Sequence, residues 1–413
     1  MKDNKTVIVG IDIGSVSADT VVMDENYSVL ESHYTRTQGA PLEITKDILD
    51  DVISRYGKDS IKLVSVTGSG GKLIAPLIGA TFTNEVISQA RAVEQLYPEA
   101  KTVIEMGGQD AKLILMAHED DGSTRIEDFQ MNSVCAAGTG SFLDQQGTRM
   151  GLTIEEFGEL SLKSKNPPRI AGRCSVFAKS DMIHLQQAAT PDYDIVAGLC
   201  YAVARNFKST IGKGKDFKAP VIFQGGVAAN QGVRKAFQEV LELKDDEFIV
   251  PEMYAFTGAI GAAIYADERK KGVGKFKGTD ELKKFIGSGR KQEKSLEALH
   301  RPEGHPSQRK SSTGYSLDKD NKVDVYMGLD IGSTSTNVVL IDKDQNIVSK
   351  RYLPTAGRPL EAVRQGLQEV GDECSDAVNV LGVGATGSGR YLIGDFVGGD
   401  VIRNEITAQA KAA

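Results

Sequence analysis

Two cysteines stand where a thiolate could hold a metal. Cys135 lies in NSVCAAGTGSFLDQQ, residues 132–146, directly before a glycine-bearing turn and the expected start of a helix. The free amides and partial positive charge of a helix N-terminus favour a thiolate and any anion attached to it. Thirty-nine residues later Cys174 opens GRCSVFAKSDMIHLQQ in the same manner, an amphipathic run whose apolar markers are Phe177, Met182 and Leu185. Two ligands per chain cannot close a four-ligand site, so the other pair is expected from a second subunit. Buried structural thiols, or a zinc ion bridging a dimer, are the competing readings.

A second chemistry is written in glycine turns. In IDIGSVS, Asp12 ends a strand, and the Gly14-Ser15 turn lets backbone amides come close to a phosphate. In EMGGQD, Gly107 and Gly108 can play the same part from an opposite lobe, while Gln109 and Asp110 offer a group to orient an attacking water and an oxygen for a magnesium-bound water. The Gly138-Thr139-Gly140 step can itself approach phosphate oxygens. VIFQGGVAAN, residues 221–230, is a strand that breaks on Gly225 and Gly226, suited to a ribose and adenine lying against bare backbone. One such turn is weak evidence of a nucleotide site; three in this order are strong. Other candidates read as bland. Cys200 sits on an apolar helical face and reads as core, Cys374 reads as an incidental thiol, His184 follows a helix stripe and reads as a satisfied helix residue, and His33, His118, His300 and His305 form no ligand-spaced group. Glu85 and Gln89, one helical turn apart, read as an ordinary surface pair.

The elements that must position these groups follow from an internal repeat. VGIDIGSVSADTVVMDENYSVLESHYTRTQGAPLE from Val9 returns as MGLDIGSTSTNVVLIDKDQNIVSKRYLPTAGRPLE from Met327, 318 residues later. VTGSGGKLI at Val66 answers ATGSGRYLI at Ala385, and NEVISQARA at Asn84 answers NEITAQAKA at Asn404. Each copy opens with three strand-like runs joined by tight turns, then a helix (residues 41–56 in the first copy), a strand (61–66) and a helix (84–96). A strand over 102–106 and a hairpin over 111–131 begin the same order again. Two such lobes with a cleft between them make an α/β fold of the actin-like, sugar-kinase-like (ribonuclease H-like) type, duplicated in tandem.

Composition bounds the rest. The 413 residues, 40% hydrophobic, exceed one ordinary domain. A net charge of -7 without a basic, aromatic-interleaved stripe argues against nucleic acid. The opening MKDNKTVIVG does not read as a signal peptide, no apolar run is long enough to span a membrane, and four cysteines outside any secreted framework fit a reducing compartment, so a cytoplasmic protein is expected.

IDIGS, EMGGQD, VCAAGTGSFLD, GRCSVFAKSD, GGVAANQGVR and TGAIGAAIYA, in this order, resemble the activator component of 2-hydroxyacyl-CoA dehydratases, of the BadF/BadG/BcrA/BcrD ATPase family that includes benzoyl-CoA reductase ATPase subunits. The resemblance covers Lys5 to about Lys270 and again Val325 to Ala413, as in the long, tandem members. It implies a homodimer holding one 4Fe-4S cluster between subunits, with Cys135 and Cys174 as each chain's ligands. It implies binding of ATP, ADP and magnesium, with Ser15, Val16 and Ser17 in the phosphate loop, Gln109 and Asp110 at the magnesium and catalytic-water position, and Gly225 and Gly226 under the nucleoside. It further implies an upstream electron donor such as ferredoxin or flavodoxin, and a partner iron–sulfur dehydratase or reductase that receives an electron at very low potential. The chain departs from the short activators at Asp19, where they carry a lysine; the second copy has Asn337 there.

The expected organisation is a first ATPase module over 1–270, with one lobe at about 1–97, another at about 98–252 and a closing helix over 253–270. A basic polar linker over 271–322 follows, containing a short helix in TDELKKFIG, and then the start of a second module over 323–413. The second copy breaks off at Ala413, which reads as the cut end of a longer chain. Two rival functions share the fold: a small-molecule kinase, and a non-redox actin-like or chaperone-like ATP switch. Neither needs Cys135 or Cys174.

Overall fold

The structure, a computed structural model, describes residues 6–119, 123–132, 138–172, 174–269, 275–288, 315, 317–318 and 320–413. Cys135 and most of the polar linker, residues 289–314, lie outside the described residues. The chain forms two compact units, one comprising Met1–Asp144, Gly172–Ser175 and Cys200–Ser295, the other Gln145–Ala171, Val176–Leu199 and Leu296–Ala413.

The first unit contains two five-stranded sheets of one design. In the first, β1 (Val7–Ile13), β2 (Ser17–Met23) and β3 (Val29–Arg36) form an antiparallel meander, and β4 (Ile61–Thr67) and β5 (Thr81–Phe82) add parallel strands in the order β3-β2-β1-β4-β5. The continuous apolar run of β1 suits a central strand covered on both faces, and Val7, Ile8, Val9, Ile11 and Ile13 are all fully buried. At the edge, β3 carries Glu31, Ser32, His33 and Arg36 and stays largely exposed, a polar edge that resists pairing with another chain. Helix α1 (Pro41–Tyr56) starts on a proline, whose fixed φ suits a first helical turn, and buries Thr45, Leu49 and Val52 along one stripe. α2 (Gly71–Ile78) follows, then α3 (Glu85–Leu96), capped by Asn84, whose side chain accepts the Val86 amide at 2.9 Å.

The second sheet repeats the order with β6 (Thr102–Met106), β7 (Ala111–His118), β8 (Thr124–Met131), β9 (Val221–Gln224) and β10 (Phe248–Ile249), arranged β10-β9-β6-β7-β8. Between β8 and β9 come α4 (Gly140–Arg149), α5 (Ile154–Ser161), α6 (Ser175–Gln187) and α7 (Asp192–Thr210), whose residues are divided between the two units; α8 (Gln231–Leu241) follows β9. Helix α9 (Thr257–Arg269) returns to the first sheet. Its small residues let it lie directly on β1 and α3: a side chain at Gly10 would run into the Ala259 carbonyl, and one at Gly261 into the Ser88 carbonyl. The short helix expected in TDELKKFIG is α10 (Asp280–Gly287), and Phe276 and Leu282 complete the core between the first sheet, α1 and α2.

In the second unit the repeat builds a third sheet of the same design from β11 (Val323–Ile331), β12 (Ser335–Asp342), β13 (Ile347–Pro354), β14 (Val378–Gly387) and β15 (Val401–Ile402), ordered β13-β12-β11-β14-β15. Helices α11 (Pro359–Cys374), α12 (Arg390–Val397) and α13 (Glu405–Ala412) accompany it, and Asn404 caps α13 as Asn84 caps α3. Cys374, expected to be incidental, is a core residue: it is buried among Val363, Val370 and Leu340, with its thiol donating to the Val370 carbonyl. Three copies of one five-stranded sheet, the first two forming a two-lobed module and the third opening a repeat, are the actin-like, sugar-kinase-like architecture. Among the described residues no helix is long and apolar enough to cross a membrane.

Candidate functional site

Three turns of the first unit converge at the inner ends of the two sheets. The β1–β2 turn is closed by the Gly14 amide donating to the Ser17 carbonyl at 2.8 Å, and Thr37 clamps it from outside through its amide to the Val16 carbonyl and its hydroxyl to the Ser15 carbonyl. Ser15 is exposed at the tip. The second copy builds the same turn, with the Gly332 amide on the Ser335 carbonyl and Thr355 as the clamp. In the β6–β7 turn the Gly107 amide donates to the Asp110 carbonyl at 2.8 Å, leaving Gln109 exposed and Asp110 half-buried. The two turns touch, because a side chain at Gly108 would strike Val16. The third turn follows β9: Gly225, at φ 89°, takes a left-handed conformation that favours glycine, and the open Gly226 starts a 3-10 turn leading to α8, which Asn230 caps.

Acidic groups gather beneath these turns. Asp12 faces Asp19 across the β1–β2 ladder, a register that puts both side chains on one face of the sheet. Burial, then Glu85 and Glu105, push the Asp12 carboxyl up to about 7. Burial, then Asp12, push Asp19 up to about 8. Asp19 takes one hydrogen bond from the Ser17 hydroxyl at 3.2 Å, while its Oδ1 is buried with no hydrogen-bond partner among the described residues. In the second copy the corresponding pair is Asp330 opposite Asn337.

Sequence reasoning missed Glu105 and Lys112 in this cluster and misread Glu85 and Gln89. Lys112 is buried and pairs with Glu105 at 2.7 Å and with Glu85 at 3.0 Å. Burial alone would depress its pKa, but Glu105 and Glu85 outweigh that and hold it well above the ordinary lysine value. Glu85 and Gln89 are therefore no surface pair: Gln89 is 4% exposed and accepts hydrogen bonds from Gln224 at 2.7 Å and from the Thr257 hydroxyl at 2.8 Å. A lone charge inside each of two apolar runs, TVIEM and AKLILMA, separated by a tight turn, was the available signal for Glu105 and Lys112, since it makes them cross-strand partners.

The two cysteine segments are tied to the same turns. Asn132, just before the undescribed residues 133–137, accepts the Ala111 amide at 2.8 Å and donates to the Gln109 carbonyl at 3.0 Å. Just after them, the Gly140 and Ser141 amides donate to the Gly107 and Gly108 carbonyls at 2.9 and 2.8 Å. Both ends of the segment that carries Cys135 thus hang on the β6–β7 turn. Gly138 lies against the Asn206 amide nitrogen, and Gly172, two residues before Cys174, packs on Ala202 and Asn206, so α7 supports both segments. Cys174 is a free, half-buried thiol directly before α6. The expected amphipathic pattern of that helix differs from the observed one: Met182 is buried and Leu185 half-buried, but Phe177 is 65% exposed, as is Val176. Its apolar residues are spread around the helix rather than gathered on one side, so the first turn is left uncovered. Cys200 is a fully buried core residue. Among the described residues, no three His, Cys, Asp or Glu side chains form a metal-holding group.

Known proteins share this architecture. Residues 9–266, more than half of the chain, match the BadF/BadG/BcrA/BcrD ATPase family. The 2-hydroxyisocaproyl-CoA dehydratase activator of Clostridioides difficile is 35% identical over 266 residues, covering 63% of this chain and 96% of that protein. The (R)-2-hydroxyglutaryl-CoA dehydratase activating ATPase of Acidaminococcus fermentans is 31% identical, covering 62% and 95%. The solved structure of the activator of the 2-hydroxyisocaproyl-CoA dehydratase from Clostridium difficile, with bound ADPNP, superposes with a TM-score of 0.55 at 30% identity, covering 69% of this chain and 98% of that one. With its paired sheets, its three glycine turns and this match, the chain belongs to the BadF/BadG/BcrA/BcrD ATPase family.

Proposed function

We propose that this chain is an ATP-driven iron–sulfur electron donor that delivers a low-potential electron to a partner iron–sulfur protein, a 2-hydroxyacyl-CoA dehydratase or a related reductase. The observation that carries the proposal is the double attachment of the segment bearing Cys135 to the β6–β7 turn, through Asn132 on one side and Gly140 and Ser141 on the other. A turn that follows the nucleotide phosphates therefore moves a cysteine segment with it. Relatives that carry the name of dehydratase activators support the same reading.

In this reading the amides around Gly14, Ser15, Val16 and Ser17 hold phosphate oxygens from one lobe, and those of Gly107 and Gly108 from the other, with the Gly138-Thr139-Gly140 step beside them. Gly225 and Gly226 lie under the nucleoside, and Gln109 orients the attacking water. The orphaned Asp19 oxygen and the concentration of carboxyls around Asp12 suit a divalent cation, so magnesium would be held on the Asp12 side of the cleft and approached through water by Asp110.

The cluster fit rests on Cys174. It is half-buried, without a partner among the described residues, directly before a helix, and Val176 and Phe177 beside it offer uncovered apolar surface to a second copy of the chain. Cys174 and Cys135 of each of two chains would supply the four ligands. When bound, a 4Fe-4S cluster is a one-electron carrier, taking an electron from a ferredoxin or flavodoxin and passing it to the partner's iron–sulfur centre.

The test is the composition of the full chain purified without oxygen. About four iron and about four sulfide per two chains are expected. A colourless, iron-free protein that still hydrolyses ATP would overturn the proposal in favour of a kinase or a non-redox switch of the same fold.

A further inference from the structure

The buried ion triad lies where nucleotide turns and lobe closure meet. Glu105 spends its Oε2 on Lys112 at 2.7 Å. Its Oε1 lies under both turns of the second lobe: a side-chain carbon at Gly107 would stand 3.4 Å from it, and one at Gly225 2.8 Å. One carboxylate thus senses the phosphate turn and the nucleoside turn together. Lys112 carries that position to the helix that lies between the two sheets, because its second partner, Glu85, is the first residue of α3, whose apolar face packs on the second sheet and which lies against α9 of the first. One turn further along α3, Gln89 makes the parallel link to Gln224, the last residue of β9 before Gly225, and to Thr257 at the start of α9. The next residue, Gly258, is where Asp12 and Gln89 converge, since a side chain there would meet both.

Two features mark these links as more than core filling. They join sheet ends that carry the nucleotide turns rather than the middles of strands, and α3 is the element to which both run. A buried ammonium with two carboxylates also has a defined geometry, so displacing one partner by an ångström or so moves the other.

We propose that Lys112 is a positioning residue for ATP hydrolysis, tying Glu105 beneath the Gly107 and Gly225 turns to Glu85 on α3, so that turn position and lobe closure change together. The idea rests on the ATP-cleft reading of the site, and not on the cluster. Glu85 is the arm to cut: its side chain is 23% exposed, and Glu85→Gln leaves Lys112 charged and paired with Glu105. In the full chain, Glu85→Gln is expected to bind ADP within about threefold of wild type while kcat for ATP hydrolysis falls about tenfold with KM little changed, the pattern of an interaction made in the closed state. Glu85→Asp, which keeps the charge at the helix start, is expected to fall between the two. If kcat and the ATP-to-ADP affinity ratio of Glu85→Gln both stay within about twofold of wild type, Lys112 serves only to neutralise Glu105 and the proposal is wrong. It is equally wrong if Glu85→Gln and Glu85→Asp lower only the melting temperature. A wild-type chain that binds no nucleotide would overturn the proposal together with the cleft reading, and nucleotide binding measured first separates that case.

Discussion

Asp12→Asn is expected to slow ATP hydrolysis by about a hundredfold or more and, at the same time, to raise the melting temperature of the nucleotide-free protein at pH 8. Both results come from one feature. Asp12 and Asp19 sit opposite each other with little solvent, and their folded pKa values, about 7 and about 8, lie above the ordinary value of 3.8. Between pH 4 and 7 the folded chain therefore holds protons that the unfolded chain has released. The resulting stabilisation is complete below about pH 4 and is lost as pH rises through 7 to 8. The two carboxyls titrate as a pair, so the loss spans the whole interval. An amide at position 12 removes one member and its repulsion, and the gain should be large at pH 8 and small at pH 5. On the proposed reading, function needs the charge that stability would shed, because a magnesium nucleotide requires an anionic site. Thermal melts of both proteins at the two pH values, with hydrolysis rates, provide the check. A variant that melts lower than wild type at pH 8, or hydrolyses ATP at the wild-type rate, would remove Asp12 from the site.

The second large effect is expected at Cys174. Cys174→Ser should lose iron by more than the about 10–100-fold in affinity that changes behind a metal ligand cost, and should abolish electron delivery, while ATP hydrolysis stays within about threefold of wild type because Ser15, Gly107 and Gln109 lie on other elements. Iron content, hydrolysis and electron transfer to an iron–sulfur acceptor, measured on one preparation, separate these outcomes. Full iron content in the variant would mean that Cys174 is a structural thiol.

Much of the fold was legible because its signals are local. The helix over residues 41–56 announces itself by a proline start and an apolar stripe, and the strand over 102–106 by a short, mostly apolar run that ends in paired glycines. The repeat showed that whatever the first copy builds, the second begins again. Helix α2 escapes such a reading because its sequence, GKLIAPLI, follows TGSG and contains Pro76, a residue that ordinarily argues against a helix interior. The misreading of Glu85 and Gln89 has a different origin. A four-residue spacing of polar groups looks the same on an open helix as on one roofed by a second lobe, and only tertiary structure distinguishes the two. The second copy illustrates the point: Val86 is 6% exposed under its roof, whereas Ile406, its counterpart in the repeat, is 79% exposed on α13. Phe177 fails in the opposite sense, since a large apolar residue near a helix start reads as core and yet stands in the open.

Nucleotide as the switch for an electron is tested most directly by the midpoint potential of the anaerobically purified protein. Measured without nucleotide, with ADP and with a non-hydrolysable ATP analogue, it should be lowest with the ATP analogue, by about 59 mV for each tenfold bias that the nucleotide imposes on a one-electron couple. One potential shared by all three states, with affinity for an iron–sulfur partner equally unchanged, would contradict it.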